Sequence, residues 1–374
     1  MIVTVLQDKL AKALNIVSKA VEARPTLPVL SNILLEAEGS QLKLAATNLQ
    51  LSITMWIGAR VDQPGAITLP AKTFSDLINN LAQGQVSMNL DAATHTVRVS
   101  AGATKSNIKG IDADEFPPIQ HGDEPDFFMD GKTLREMIRQ TTFAAAKEDN
   151  RPILTGVYFD LNGDQITMAA ADGYRLAVRK ARMIQPVRQK TSIVVPARAL
   201  NEVARALEDT QEVGVTLPGK RDIVTFHMPD LQISSQLLEG RFPDFSAIIP
   251  KTYVTSTTMY VDDLLKACKR AEIFARDNAN SGRLYVKPAS APGDIGEVLI
   301  VGRSSERGDN EGMLDAAIEG EPLDISFNIS YLIEVLNVMS DERVIFQSNG
   351  AENPGVIKPE NRDDFIHVIM PMSR

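Results

Sequence analysis

The chain carries one pattern three times. The segment ITLPAKTFSDLINNL (67–81) returns as IVVPARALNEVARAL (193–207), and again as ISFNISYLIEVLNVM (325–339). Each is a short β-branched run, a breaker or capping residue, and then apolar residues at helical spacing. The copies start about 126 and 132 residues apart, too far for a solenoid and right for a whole domain. The 374 residues then divide into three like domains, 1–125, 126–251 and 252–374, each long enough to bury its own core. PPIQHGDEPDF (117–127) and IIPKTYVTS (248–256) form the junctions, rich in Pro, Gly and polar residues.

Other segments recur in the same order. A strand and a helix open each copy: IVTVLQDKLAKALNIVSKAV (2–21), FFMDGKTLREMIRQTTFAA (127–145) and MYVDDLLKACKRAEIFA (259–275). Asp8, Asp130 and Asp262 stand near the helix starts, where a short acid can cap free backbone N–H groups. Alternating stretches follow, with turns such as Gly39-Ser40 and Asn162-Gly163, and read as antiparallel hairpins. Each copy is therefore α+β, with two helices and roughly eight strands.

The net charge is −9, which taken alone argues against a polyanionic partner. Distribution matters more than the sum. At about 100° per residue, the first helix sets Leu10, Leu14, Val17 and Val21 opposite Lys9, Lys12 and Lys19. Copy two sets Leu134, Met137 and Ile138 opposite Lys132, Arg135 and Arg139; copy three sets Leu264, Ala267 and Ala271 opposite Lys266, Lys269, Arg270 and Arg276. The second helices add Lys72, Arg198 and Arg205. One such face is ordinary solvated surface; three equivalent faces of one polarity favour a polyanion. Ile273 breaks the third pattern by falling on the basic side, either as a scattered exposed apolar residue or as a subunit contact.

Catalytic signatures are missing. The sequence holds no phosphate-binding or dinucleotide glycine motif, no nucleophile elbow and no zinc spacing. His95, His121, His227 and His367 share no repeat position. DNANSG (277–282) lacks the acids of a calcium loop and reads as a turn, and DADE (112–115) as a solvated loop. The lone Cys268 lies in a helical apolar pattern and reads as a buried small hydrophobe. No apolar run reaches membrane-spanning length and the N-terminus lacks signal-peptide architecture, so no membrane, cofactor or metal is expected, and a cytoplasmic setting is.

Six stretches carry a resemblance: RPTLPVLSNILLEA (24–37), ITLPAKTF (67–74), AADGYRLAV (170–178), GRFPDF (240–245), FNISYLIEVLN (327–337) and VIMPM (368–372). Taken in order along the whole chain, they resemble the bacterial replicative sliding clamp, the DNA polymerase III beta subunit family. The resemblance implies three tandem clamp domains with two helices inside and antiparallel sheets outside. Two protomers would join head to tail into a six-domain ring. Twelve helices about 10 Å wide give a circumference near 120 Å and a clear hole of roughly 28 Å, wide enough for a hydrated duplex. The implied function is a processivity factor that encircles double-stranded DNA without sequence specificity and has no catalysis. Implied partners are a second copy, the clamp loader, the polymerase III catalytic subunit and other proteins bearing a clamp-binding motif.

Residue by residue, the family pattern places DNA contacts on Arg24, Lys72 and Arg198, supported by Lys9, Lys12, Lys132, Arg135, Arg139, Lys266 and Lys269. The family's polar DNA-contacting loop falls on Glu148, beside Asp149, and is left unassigned because an acid stands there. The ring joint pairs Ile273, Phe274 and Glu306 (with Asp309 and Glu311) with Leu77, Arg98, Lys105 and Ile108. A pocket for partner peptides falls on Leu154, Gly173, Tyr174, Arg175, Leu176, Pro243, Ile248, Asn328, Tyr331, Val368, Met370, Pro371 and Met372. Apolar, Met-rich walls suit a site that accepts several side chains. Two positions depart from the family pattern: Ala171 stands where many members have Thr, and Ser373 precedes Arg374 where an Arg often follows the second Met. Two competing readings remain: an enzyme acting on DNA or a phosphorylated ligand, disfavoured by the lack of paired acids or a nucleophile–base set, and a peptide adaptor that no longer binds DNA.

Overall fold

Strands deliver every helix. The computed structural model describes residues 1–22, 25–119, 124–148, 150–207, 212–219, 222–291 and 294–372. Among these residues there are six α-helices: α1 (Gln7–Val17), α2 (Ala71–Asn79), α3 (Gly131–Thr142), α4 (Ala197–Ala206), α5 (Val261–Ala275) and α6 (Ile329–Leu336). Each begins at the residue that follows a strand. That continuity corrects the expectation of acidic caps at the first and third copies. Asp8 and Asp262 lie inside the first turns of α1 and α5, while the capping positions are Leu6 and Tyr260, neither of which makes a side-chain cap bond. The first helical N–H groups go to backbone carbonyls instead, Gln7 to Gly84 at 2.8 Å and Val261 to Glu342 at 3.0 Å. The acids keep only their favourable place at the positive end of the helix dipole. Asn328 does cap α6, its Oδ1 accepting from the Ser330 N–H at 3.1 Å.

By tertiary contact the chain forms two compact units, residues 1–132 with 202–237, and residues 133–201 with 238–374. The first unit holds a five-stranded sheet, ordered 60–63, 2–6, 85–91, 96–101, 104–109, and an eight-stranded one, ordered 127–130, 212–216, 223–228, 231–236, 51–58, 41–47, 32–38, 65–70. The second unit holds a twelve-stranded sheet, ordered 191–196, 156–162, 165–171, 175–182, 365–369, 355–359, 343–348, 255–260, 308–320, 296–304, 281–287, 323–328. All the pairings in these sheets are antiparallel. Two of them cross from one repeat to the next: Leu231–Gln236 on Leu51–Gly58, and Arg175–Arg182 on Phe365–Ile369.

The repeats superpose in their hydrogen bonds as well as in their letters. The carbonyls of Thr68, Val194 and Ser326 stand at one repeat position, and they accept from the N–H groups of Ile111, Leu238 and Met372 at 3.0, 2.9 and 2.9 Å. The hairpins after residues 38 and 162 turn on glycines with φ of +59° and +60° at Gly39 and Gly163, a conformation glycine adopts without a Cβ penalty.

Helices sit on these sheets through the faces that the periodicity predicts. In the first unit α1 buries Leu10, Leu14 and Val17, and α2 buries Phe74 and Ile78. In the second, α3 buries Leu134, Met137 and Ile138, and α5 buries Leu264, Ala267, Cys268 and Ala271. The small residues of α5 let its backbone approach strand 296–304 so closely that a Cβ at Gly302 would stand 2.1 Å from the Ala271 carbonyl oxygen. Burial pushes the Cys268 thiol up to about 12, so it packs as the small hydrophobe the helical pattern implied. Residues 276–280 form turns, with Asp277 pairing Arg307 at 3.1 Å, while 281 and 282 of the expected 277–282 turn already belong to strand 281–287.

Candidate nucleic-acid and peptide-binding surfaces

The helix faces opposite the cores carry cations into solvent. Lys9 and Lys12 are exposed on α1, Lys72 on α2, Lys132 and Arg139 on α3, Arg198 on α4, and Lys266 and Lys269 on α5; Arg135 is half-buried. Some of the basic residues there are held by acids. Arg205 pairs with Glu202 on α4, and Arg276 lies 3.4 Å from Glu272 on α5. Arg24 and Asp149 fall outside the described residues, as do Ser373 and Arg374.

The thirteen residues expected to take peptides all lie in the second unit, and Arg175 organises their middle. Its side chain is buried, the residue being only 4% exposed. Nε donates to Asp172 Oδ2 at 3.0 Å, Nη2 to the Phe143 carbonyl at 2.7 Å, and Nη1 to Glu334 Oε2. The guanidinium carbon lies 4.1 Å from the centroid of the Tyr331 ring, a cation–π contact strengthened by desolvation. Burial, with the charge of Asp172, pushes the Tyr331 phenol above its ordinary pKa. Asp172 also accepts from the N–H groups of Tyr174 and Arg175 at 2.9 and 3.1 Å. Gly173 between them has φ +96°, so the tight turn lifts Tyr174 outward, 66% exposed.

Two apolar clusters flank this turn. Leu176 and Val368 pack with Ala169, Val178 and Val356; Leu154 packs with Val194 and Phe242. Tyr158, Ala171 and Phe245 touch both clusters, so Ala171 sits where a Thr hydroxyl would have stood between them. Pro243 and Ile248 are exposed on the following loop, and Asn328 caps the helix that carries Tyr331. The chain end runs beside the turn, with Met370 N–H donating to Tyr174 O at 2.9 Å and Met372 N–H to Ser326 O at 2.9 Å. Met370 stays exposed while Pro371 and Met372 are half-buried, so side chains remain accessible although the backbone is tied down.

Behind the turn lies His367, fully buried, its ring centroid 5.4 Å from that of Phe143. Desolvation, with the Arg175 charge nearby, pushes its pKa down from 6.5 to about 3. The folded chain keeps this imidazole neutral while the unfolded chain protonates it, so the unfolded state binds more protons between those two values. Stability should therefore fall as pH drops through that window, by up to about 1.4 kcal/mol per unit. Denaturation midpoints from pH 7 to pH 4 should flatten in His367→Leu; an unchanged slope would clear this residue of the effect.

The joint residues divide between the units. Leu77 on α2 is half-buried, Arg98 and Lys105 are exposed on neighbouring strands of the five-stranded sheet, and Ile108 is buried. In the second unit Ile273 is 52% exposed at the end of α5, Phe274 beside it is half-buried, and Glu306 is exposed in a turn. Glu311 lies 3.9 Å from Arg303, a contact between exposed groups that is worth little.

Asp172, Phe143 and Glu334, which hold Arg175, were missed in the sequence. Glu334 lies 159 residues away, and no local pattern links the two.

Comparison with known proteins identifies the family of the chain. Profiles described as the N-terminal, central and C-terminal domains of the DNA polymerase III beta subunit match residues 1–120, 129–244 and 246–373. The chain is 30% identical to the beta sliding clamp of Bacillus subtilis, covering 99% of this chain and 98% of that one. It is also 30% identical to the beta sliding clamp of Pseudomonas aeruginosa, covering 99% of each. The crystal structure of the B. subtilis DNA polymerase sliding clamp aligns with a TM-score of 0.93 at 29% identity, over 100% of this chain and 99% of that one. A P. aeruginosa sliding clamp bound to griselimycin aligns at 0.92 and 29% identity, over the whole of both chains.

Proposed function

Since this chain belongs to the DNA polymerase III beta subunit family, we propose that two copies close head to tail into a six-domain ring around duplex DNA. Its function is that of a DNA polymerase sliding clamp, a processivity factor built from three tandem clamp domains. The reading assigns it no catalytic step of its own and a place in the cytoplasm; no helix among the described residues is long and apolar enough to cross a membrane.

The observation that carries the ring reading is the recurrence of exposed cations on the first helix of each copy: Lys9 and Lys12, Lys132 and Arg139, Lys266 and Lys269. With Lys72, Arg198, Arg135 and Arg24 they would meet phosphates at many equivalent positions and read no base edges. Equivalent contacts leave no preferred register, so the ring slides. Retention then depends on closure instead of affinity. Protein placed on nicked circular DNA by a clamp loader should remain through a high-salt wash and run off once the circle is cut. Equal loss from circle and linear DNA would reject topological binding.

The groove around Arg175 and Tyr331 is the proposed docking place for clamp-binding motifs of the loader, the polymerase III catalytic subunit and other DNA-processing proteins. Apolar walls at Leu154, Leu176 and Val368 support it, with Pro243 and Ile248 on one rim and Met370 to Met372 on the other. Deleting residues 370–374 should weaken capture of such a peptide by about 100-fold and leave the dimer intact. Retained capture would place the groove elsewhere.

A further inference from the structure

The first unit contains a counterpart of this groove, built on the same scaffold with different chemistry. Strands 41–47 and 51–58 occupy the repeat positions of 165–171 and 175–182, and strand 231–236 that of 365–369. The local bonds match. Asn48 Oδ1 accepts from the N–H groups of Gln50 and Leu51 at 3.1 and 2.7 Å, as Asp172 does two repeat positions before Tyr174 and three before Arg175. Gln236 N–H donates to Gln50 O at 2.8 Å, as Met370 N–H does to Tyr174 O at 2.9 Å.

The side chains do not match. The aliphatic floor of the second unit is Leu176, Val178, Val356 and Val368. By strand register, the same positions here are Ser52, Thr54, Thr225 and Ser234. The last three are buried, and hydroxyls are costly to bury unless paired. Thr225 pairs with Ser234 across strands at 3.0 Å, and Ser52 pairs with Thr47 of the adjacent strand at 2.8 Å. Ser52 and Thr47 line the cavity, and a hydroxyl oxygen has two lone pairs with which to accept.

Above this floor is a cavity of about 270 Å³, walled by Leu49, Pro117, Pro118 and Ile223 and rimmed by Gln50 and Gln236. Among the described residues, no ionisable side chain lines it. Leu49 is 51% exposed and held at φ +73°, where its counterpart is Gly173. A non-glycine residue in that region is strained, and such strain persists where the surroundings impose it. An exposed apolar side chain is thus kept at the cavity mouth against the backbone preference.

We propose that this cavity binds a short, uncharged, extended peptide segment of a partner protein, using hydroxyl and amide hydrogen bonds where the other groove uses aliphatic contact. The volume falls just below the roughly 300 Å³ at which small-molecule sites begin and suits one or two anchoring side chains. A neutral lining offers nothing to offset the desolvation of a charged ligand, which gives the segment its charge class. That the ligand is a peptide rests on the reading of the Arg175 groove as a peptide site; the cavity and its hydroxyl floor do not.

The test pans a displayed library of random heptapeptides against the full chain, then sorts the binders by whether a chain truncated after Ile369, which lacks the rim of the Arg175 groove, still takes them. Uncharged peptides carrying Ser, Thr, Asn or Gln beside one apolar anchor are expected. Their affinity should fall about tenfold or more in Leu49→Gly and in Ser52→Val, while the melting temperature of Leu49→Gly rises, because glycine relieves the strain. Recovery of no peptides by the truncated chain overturns the proposal, as does undiminished binding to both variants. Peptides that need residues 370–374 and ignore Leu49→Gly would support the Arg175 groove alone and reject this one.

Discussion

Arg175→Met is expected to destabilise the second unit by about 3 kcal/mol and to abolish peptide capture. The substitution keeps the apolar stem but deletes a guanidinium that serves Asp172, Glu334, the Phe143 carbonyl and the Tyr331 ring at once. Breaking a buried pair by removing one partner costs about 3–5 kcal/mol, because the other charge is stranded. The low end applies because Glu334 keeps access to solvent and has Lys147 at 3.7 Å. Capture is lost for a geometric reason. The turn that projects Tyr174 is fastened through Asp172 to the Arg175 backbone and side chain, and Tyr331 loses the plane it rests on. Urea denaturation and peptide binding measured on one preparation separate the effects. A variant of unchanged stability that binds normally would remove Arg175 from the organisation of the groove.

Ile273→Ala combined with Phe274→Ala should weaken the dimer by about 100-fold or more while costing the protomer little. Ile273 is half exposed and its truncation removes little intramolecular packing; Phe274 is only partly buried. Both sit at the end of α5, and in the proposed joint the exposed Ile273 and half-buried Phe274 would meet Leu77 of a second copy, whereas Ile108 is buried in its own protomer and is not open to such a contact. Light scattering at micromolar concentration checks this directly. A double variant that remains a dimer there would move the joint elsewhere. Substituting Glu306 by Gln should change mainly the salt dependence of association, since an exposed charge steers encounter more than it holds the complex.

Helix faces were the most legible part of this molecule. Leu10, Leu14, Leu134, Met137, Leu264 and Ala271 are buried as their spacing requires, because an α-helix converts sequence distance directly into direction. The hairpins were nearly as plain: Gly39 and Gly163 mark them by conformational need. Helix starts are not legible from Asp8 and Asp262, since a helix that leaves a strand without a break passes its first N–H to the residue just before a neighbouring strand, Gly84 or Glu342. Among site residues, Leu176 and Val368 are implied only by the family resemblance, because Arg175–Arg179 are all buried and show no alternation, and the partners of Arg175 follow from neither.

Periodicity and repetition, read from the letters alone, establish three α+β copies with basic helix faces and one apolar exception at Ile273. Tertiary structure alone decides which strand edges meet. Leu231–Gln236 joins Leu51–Gly58 and Phe365–Ile369 joins Arg175–Arg182. Alternation says which side of a strand is buried but carries no information about its neighbour in the sheet. Those two pairings bring Glu334 and Arg175 within reach in one unit and set Ser52 beside Ser234 in the other. The same scaffold, closed by different side chains, becomes an aliphatic groove in one place and a hydroxyl-floored cavity in the other.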